Sequence, residues 1–164
     1  MIKIFYGSIG LFFLLTGFLQ AAEQRGALVL NKIPIYEFED PRKLVCTGMY
    51  DVRFGRDVPD MREFRNALCQ GRYEMTLTGE KGRTITLYAQ FKFGRGNGFL
   101  VVRKMDDQKI WISDLERYPS EKWVTVPATS QSGAFQVFYR EGELFDQNIF
   151  SLKWGQWWQG PVPQ

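Results

Sequence analysis

The clearest pattern in the chain lies in its middle. Tyr73, Met75 and Leu77 alternate with Arg72, Glu74 and Thr76; after a Gly79 to Gly82 turn, Ile85, Leu87, Ala89, Phe91 and Phe93 alternate with Thr84, Thr86, Tyr88, Gln90 and Lys92. A period of two sends neighbouring side chains to opposite faces of a strand, so one face is expected in a core and the other in water. Gly94, Gly96 and Gly98 turn the chain into Phe99 to Lys104, and Met105 to Gln108 turn it into Lys109 to Ser113. Together these runs read as a β-meander.

Glu121 to Trp154 adds three more runs of β-branched and aromatic residues, separated by a Ser/Gly/Thr cluster and an Arg140-Glu141-Gly142-Glu143 turn. Phe145 and Ile149 fall on odd positions and Phe150, Leu152 and Trp154 on even ones, which predicts a bulge near Gln147 to Ile149. Upstream, Ala27 to Leu30 and Ile33 to Phe38 read as two short runs broken by Asn31 and Lys32, and Pro34 makes the second an edge strand or a strand start. Leu44 to Phe54 is extended, with Gly48 as a bulge position. Between Gly55 and Gln70 the alternation stops: Asp60 as N-cap, Glu63 three residues on, and Met61, Phe64 and Leu68 at helical spacing predict a short helix ending at Gly71. Asp114 to Ser120 predicts a helical turn.

These elements make the chain all-β: an antiparallel β-sandwich or jelly roll of about 8–9 strands with one short helical insertion. A closed barrel of the lipocalin type is the structural alternative.

Met1 to Ala22 has one charge, Lys3, an apolar run from Ile9 to Leu19, and small residues before Glu23. This describes a secretory signal peptide, the apolar run being shorter than the roughly 20 residues of a membrane span. Residues 1–22 are therefore expected to be removed, leaving 23–158 as a single β-sandwich domain and 159–164 as a C-terminal tail. About 142 of the 164 residues then remain, the size of one domain, secreted or periplasmic and without a membrane span. Losing Lys3 takes the formal charge from +3 to +2. The charges are interspersed, which argues against nucleic acid. Export and an even cysteine count predict a disulfide between Cys46 and Cys69, closing a loop of 22 intervening residues that is worth roughly 3 kcal/mol in the chain-entropy model.

The chain contains no His, which excludes Ser-His-Asp and Cys-His catalysis and histidine-bound zinc. Catalysis would have to rest on paired carboxylates, as in glycoside hydrolysis, with Glu37, Asp114, Glu116 and Asp146 as candidates. Gly94 to Gly98 runs into a strand and not a helix, so it reads as a hairpin and not as a phosphate loop.

Five Trp, seven Tyr and fourteen Phe are more telling. Most must fill the core, but Trp111, Tyr88 and Phe138 lie on the opposite phase from their apolar neighbours, and Trp154, Trp157 and Trp158 crowd the C-terminal end. Exposed aromatics beside polar groups are stacking platforms for sugars or anchors for a protein. Trp111, Tyr88, Trp154, Trp157 and Trp158 are the ligand-binding candidates.

Two stretches carry a family resemblance. IYEFEDP, Ile35 to Pro41, resembles the opening strand of galactose-binding-like jelly rolls, a superfamily rich in carbohydrate-binding modules. KWVTVPATSQSGAFQVFYREGELFDQNIFSLKW resembles their closing strands. The resemblance implies a carbohydrate ligand and a structural calcium ion between the first and last strands, with Glu37, Glu39 and Asp146 as its oxygen ligands. The expected function is a non-enzymatic extracellular binding domain for a glycan. The alternatives are an envelope-protein partner, as for an inhibitor, an immunity-type protein or an assembly subunit, and a carboxylate-pair glycoside hydrolase.

Overall fold

The computed structural model of the chain describes residues 27–34, 48–67 and 71–155. Nine strands are present among the described residues: β1 (Ala27–Pro34), β2 (Gly48–Arg53), β3 (Gly71–Leu77), β4 (Thr84–Tyr88), β5 (Phe99–Lys104), β6 (Ile110–Ile112), β7 (Lys122–Val126), β8 (Phe135–Arg140) and β9 (Ser151–Trp154). They form two antiparallel sheets, β2-β1-β3-β6 and β7-β8-β5-β4-β9. This is a β-sandwich, as the alternation predicts, and not a closed barrel.

The buried phase of each strand faces the other sheet. Leu28 and Leu30 of β1 and Tyr73, Met75 and Leu77 of β3 meet Ile85 and Leu87 of β4, Leu100 and Val102 of β5 and Val137 of β8 in one cluster, each fully buried. Cross-strand register lines these residues into rows, one running Leu152–Leu87–Leu100–Tyr139 across four strands. Dispersion and area burial then act on a continuous apolar layer.

The helical insertion is α1 (Arg62–Ala67), and Asp60 caps it: its Oδ1 accepts from the Arg62 N–H at 2.9 Å. Met61 is buried, and Phe64 packs its ring between Tyr50 at 4.5 Å and Tyr73 at 5.9 Å. The insertion is fastened to β9, where Val58 and Leu152 exchange backbone bonds at 2.9 Å and Asp57 Oδ1 accepts from the Trp154 N–H at 2.8 Å. Cys46 and Cys69 lie outside the described residues.

Several expectations are corrected. Asn31 and Lys32 do not break the first strand: Asn31 donates to Glu74 on β3, and Lys32 turns its stem inward with its ammonium 4.8 Å from the Tyr73 ring centre. β1 lies between β2 and β3, and Pro34, which cannot donate, is its last residue; Ile35 to Phe38 lie outside the described residues. Gly48 pairs in register with Lys32 and forms no bulge. Alternation also overruns β4, which stops at Tyr88. Phe91–Phe93 is a 3₁₀ turn with Lys92 and Phe93 at φ 54° and 63°, held by Ser151, whose hydroxyl donates to the Gln90 carbonyl and accepts from the Phe93 N–H. The phase change after Phe145 comes from a 3₁₀ turn, Phe145–Gln147, entered through Leu144 at φ 47°, and not from a bulge. Residues 114–120 form no helix; Asp114 accepts from the Glu116 N–H, and Leu115 and Tyr118 are buried as an irregular segment.

Because the sandwich depends on the inter-sheet layer, Leu100→Ala should lower the free energy of unfolding by about 2–5 kcal/mol in urea titration, whereas Met49→Ala, at a site 73% exposed, should change it by less than about 0.5 kcal/mol. Equal effects would show that the inter-sheet layer does not carry the stability.

Candidate ligand groove at Trp111

β6 is the edge strand of the four-stranded sheet, and its period of two buries Ile110 and Ile112 while aiming Trp111 outward, 38% exposed. Trp111 stands opposite Thr76 of β3. Trp111 is held at two points: its indole Nε1–H donates to Glu74 Oε2 at 3.3 Å, and its backbone N–H donates to Ser132 Oγ at 3.0 Å. Glu74 is itself fixed, because its other oxygen accepts from Asn31 at 3.0 Å.

Residues 130–133, in the loop between β7 and β8, form the groove's other wall. Thr129 organises that loop: its hydroxyl accepts from the Gln131 and Ser132 N–H groups, and its own N–H donates to the Ser132 carbonyl at 2.7 Å. Asp106 then ties the loop to the β5–β6 turn. Its Oδ2 accepts from the Ala134 N–H at 2.7 Å and its Oδ1 from the Gln108 N–H at 3.0 Å. Gly133 passes so close that a Cβ there would stand 2.4 Å from Asp106 Oδ1 and 2.8 Å from the Gln108 carbonyl. Beneath the turn, Lys104 is fully buried and donates to the Gln108 carbonyl. Burial pushes its ammonium pKa down while Asp106 and Asp107 pull it back up.

The result is an open groove of about 610 Å³ floored by Trp111 and Thr76, with Gln108, Lys109, Gln131 and Ser132 among its walls. Amide, hydroxyl and ammonium groups around one indole can take hydroxyl-bearing ligands, the ring contacting their apolar faces. The sequence signalled Trp111 by its phase. It showed the Ser/Gly/Thr cluster only as a turn, and nothing local indicated that Asp106 would bring that turn to β6.

The other aromatic candidates do not join Trp111. Tyr88, 2% exposed, lies on the outer face of the five-stranded sheet among Phe93 and Phe99, and Trp154, 5% exposed, packs edge-on against Phe54 in the core. Both are corrected from ligand platform to buried packing, because the faces they occupy are covered. Trp157, Trp158, Glu37 and Glu39 lie outside the described residues.

Asp146 is also buried, 3% exposed, and its Oδ2 meets Arg72 Nε at 3.3 Å. Its backbone N–H donates to Glu116 Oε1 at 3.1 Å. Burial raises the Asp146 pKa first, Glu116 adds to the rise, and Arg72 opposes it. The guanidinium places one positive charge beside this carboxylate, and the other two expected calcium ligands, Glu37 and Glu39, lie outside the described residues. Among the described residues no group of three acidic or thiol side chains could hold a metal ion. The same burial denies a substrate access to Asp146 as one half of a catalytic pair. Tyr118 and Tyr139 nearby are both pushed up to about 12, chiefly by burial.

No family model, curated protein or solved structure matches the chain.

A folded-state pKa above the unfolded value means that the native state holds its proton longer. Asp146 therefore favours folding below the unfolded carboxylate pKa and loses that contribution as pH rises through its raised folded value. Urea unfolding from pH 3.5 to 7 should accordingly show a smaller decline with rising pH, or a steeper gain, in Asp146→Asn than in the parent chain. Identical pH slopes would contradict the raised pKa.

Proposed function

We propose that the protein is an exported, non-enzymatic binding domain that takes a carbohydrate ligand at the Trp111 groove. The observation that carries this reading is a Trp ring exposed by its strand phase, fixed by Glu74 on a backbone that Ser132 holds, and bordered by polar side chains on a loop that Asp106 holds in place. A fixed ring loses little conformational freedom on binding, and amides and hydroxyls beside it match sugar hydroxyls. The apolar run of residues 1–22 supports export, and the strand resemblance to galactose-binding-like domains supports a glycan as the ligand class. Among the described residues no helix is long and apolar enough to cross a membrane.

A second reading, an envelope-protein partner, is favoured by Met49 and Ile33, 73% and 44% exposed on the outer face of the same sheet. Exposed aliphatic side chains are better suited to a protein surface than to a sugar.

The two readings separate by mutation. On glycan arrays and polysaccharide affinity gels, Trp111→Ala should weaken retention by about 30-fold, corresponding to loss of about 2 kcal/mol at an anchoring residue, with the melting temperature unchanged. Absence of retention by the parent chain on every polysaccharide would remove the glycan reading. Capture of a stoichiometric envelope protein, lost in Met49→Asp/Ile33→Asp and kept in Trp111→Ala, would establish the second.

A further inference from the structure

Charge is unevenly distributed round the Trp111 indole. Among the described residues that line the groove, Lys109 alone carries a formal charge. It stands one residue before β6 and two before Trp111, so it shares the outward phase of the indole about 7 Å away along the strand. Its backbone is pinned, the carbonyl accepting from the Gly133 N–H at 2.8 Å. The residue is exposed, and its ammonium forms no ion pair among the described residues.

The acids close to the groove are directed elsewhere. Asp106 engages both oxygens with the Gln108 and Ala134 N–H groups, and Asp107 Oδ1 accepts from the Lys81 N–H at 2.7 Å. The buried Lys104 ammonium interacts with both carboxylates from beneath and offsets their charge. Glu74 is separated from Lys109 by the indole itself. Antiparallel pairing sets Thr76 opposite Trp111 and Leu77 opposite Ile110, so Glu74 falls on the far side of Trp111 from Lys109. There its two oxygens accept from Asn31 and from the indole. The groove is thus cationic at one end and anionic at the other.

We infer that the groove selects an acidic saccharide, one bearing a carboxylate or a sulfate, and that the Lys109 ammonium reads this charge. Such selectivity rests on the glycan reading of the same groove and narrows its ligand class. With a sugar ring on Trp111, the anion lies toward Lys109 and the hydroxyls toward Gln131 and Ser132. The reverse placement would set the anion against Glu74, so the two ends fix the ligand's direction by attraction at one and repulsion at the other. An exposed ammonium makes its bond in competition with water, and it therefore contributes more to selectivity than to total affinity. The positive formal charge of the chain, +3, also favours the approach of an anionic ligand.

Calorimetric titration of the full chain with oligogalacturonate and with its methyl ester, the same sugars without the charge, tests this. A sulfated galactan oligosaccharide beside its desulfated form separates sulfate from carboxylate recognition. In at least one pair the acidic form should bind about 10-fold more tightly than the neutral one, the scale of a hydrogen bond to a charged group. Lys109→Met should bring that ratio close to one with the melting temperature unchanged, Lys109→Arg should keep it, and high salt should reduce it. Equal binding of acidic and neutral forms would overturn the selectivity and leave the glycan reading standing. A preference for the acid that survives Lys109→Met would overturn the role of Lys109. Binding of no saccharide of either kind would remove the selectivity and the glycan reading together.

Discussion

Burial of one face of each sheet against the other is the constraint on which the rest of the structure depends. Neither sheet could persist alone in water with rows such as Leu152–Leu87–Leu100–Tyr139 exposed. Pairing those rows with Leu28, Leu30, Met75 and Leu77 sets the phase of every strand. Once Ile110 and Ile112 are committed to that layer, Trp111 has only the outward direction left. The groove is therefore a by-product of core formation, made usable by the polar contacts that hold its walls.

Those contacts divide the acids of the chain by role. Asp60 caps a helix, Asp57 binds the β9 backbone, Asp106 joins two loops and Glu74 orients an indole. Asp146 is the exception in being deeply buried, with Arg72 offsetting part of the cost of its charge.

Much of the architecture could be read from local pattern. Strict alternation in Tyr73 to Leu77 and the capping Asp60 before Met61 and Phe64 each depend on neighbours in sequence, and both appear as expected. What failed depends on residues far apart. Period two tells which side of a strand a residue takes but not whether that side is covered, so Tyr88 looked like a platform although Phe93 and Phe99 enclose it. Phe91 and Phe93 continue the alternation of β4 by coincidence, since positive φ at Lys92 and Phe93 is imposed by Ser151, some sixty residues on. The groove was half legible for the same reason: Trp111 was visible, whereas its opposite wall is brought there by Asp106 and by the close passage of Gly133.

The proposed ligand contact is the fixed, outward indole at the sheet edge. Titration of soluble oligosaccharides into isotopically labelled protein, followed by amide and indole NMR shifts, tests it most directly. Progressive shifts are expected at the Trp111 indole N–H and at the Gln131 and Ser132 amides, with the Glu116 and Asp146 amides unmoved. Shifts centred on Glu116 and Asp146, with Trp111 silent, would contradict it.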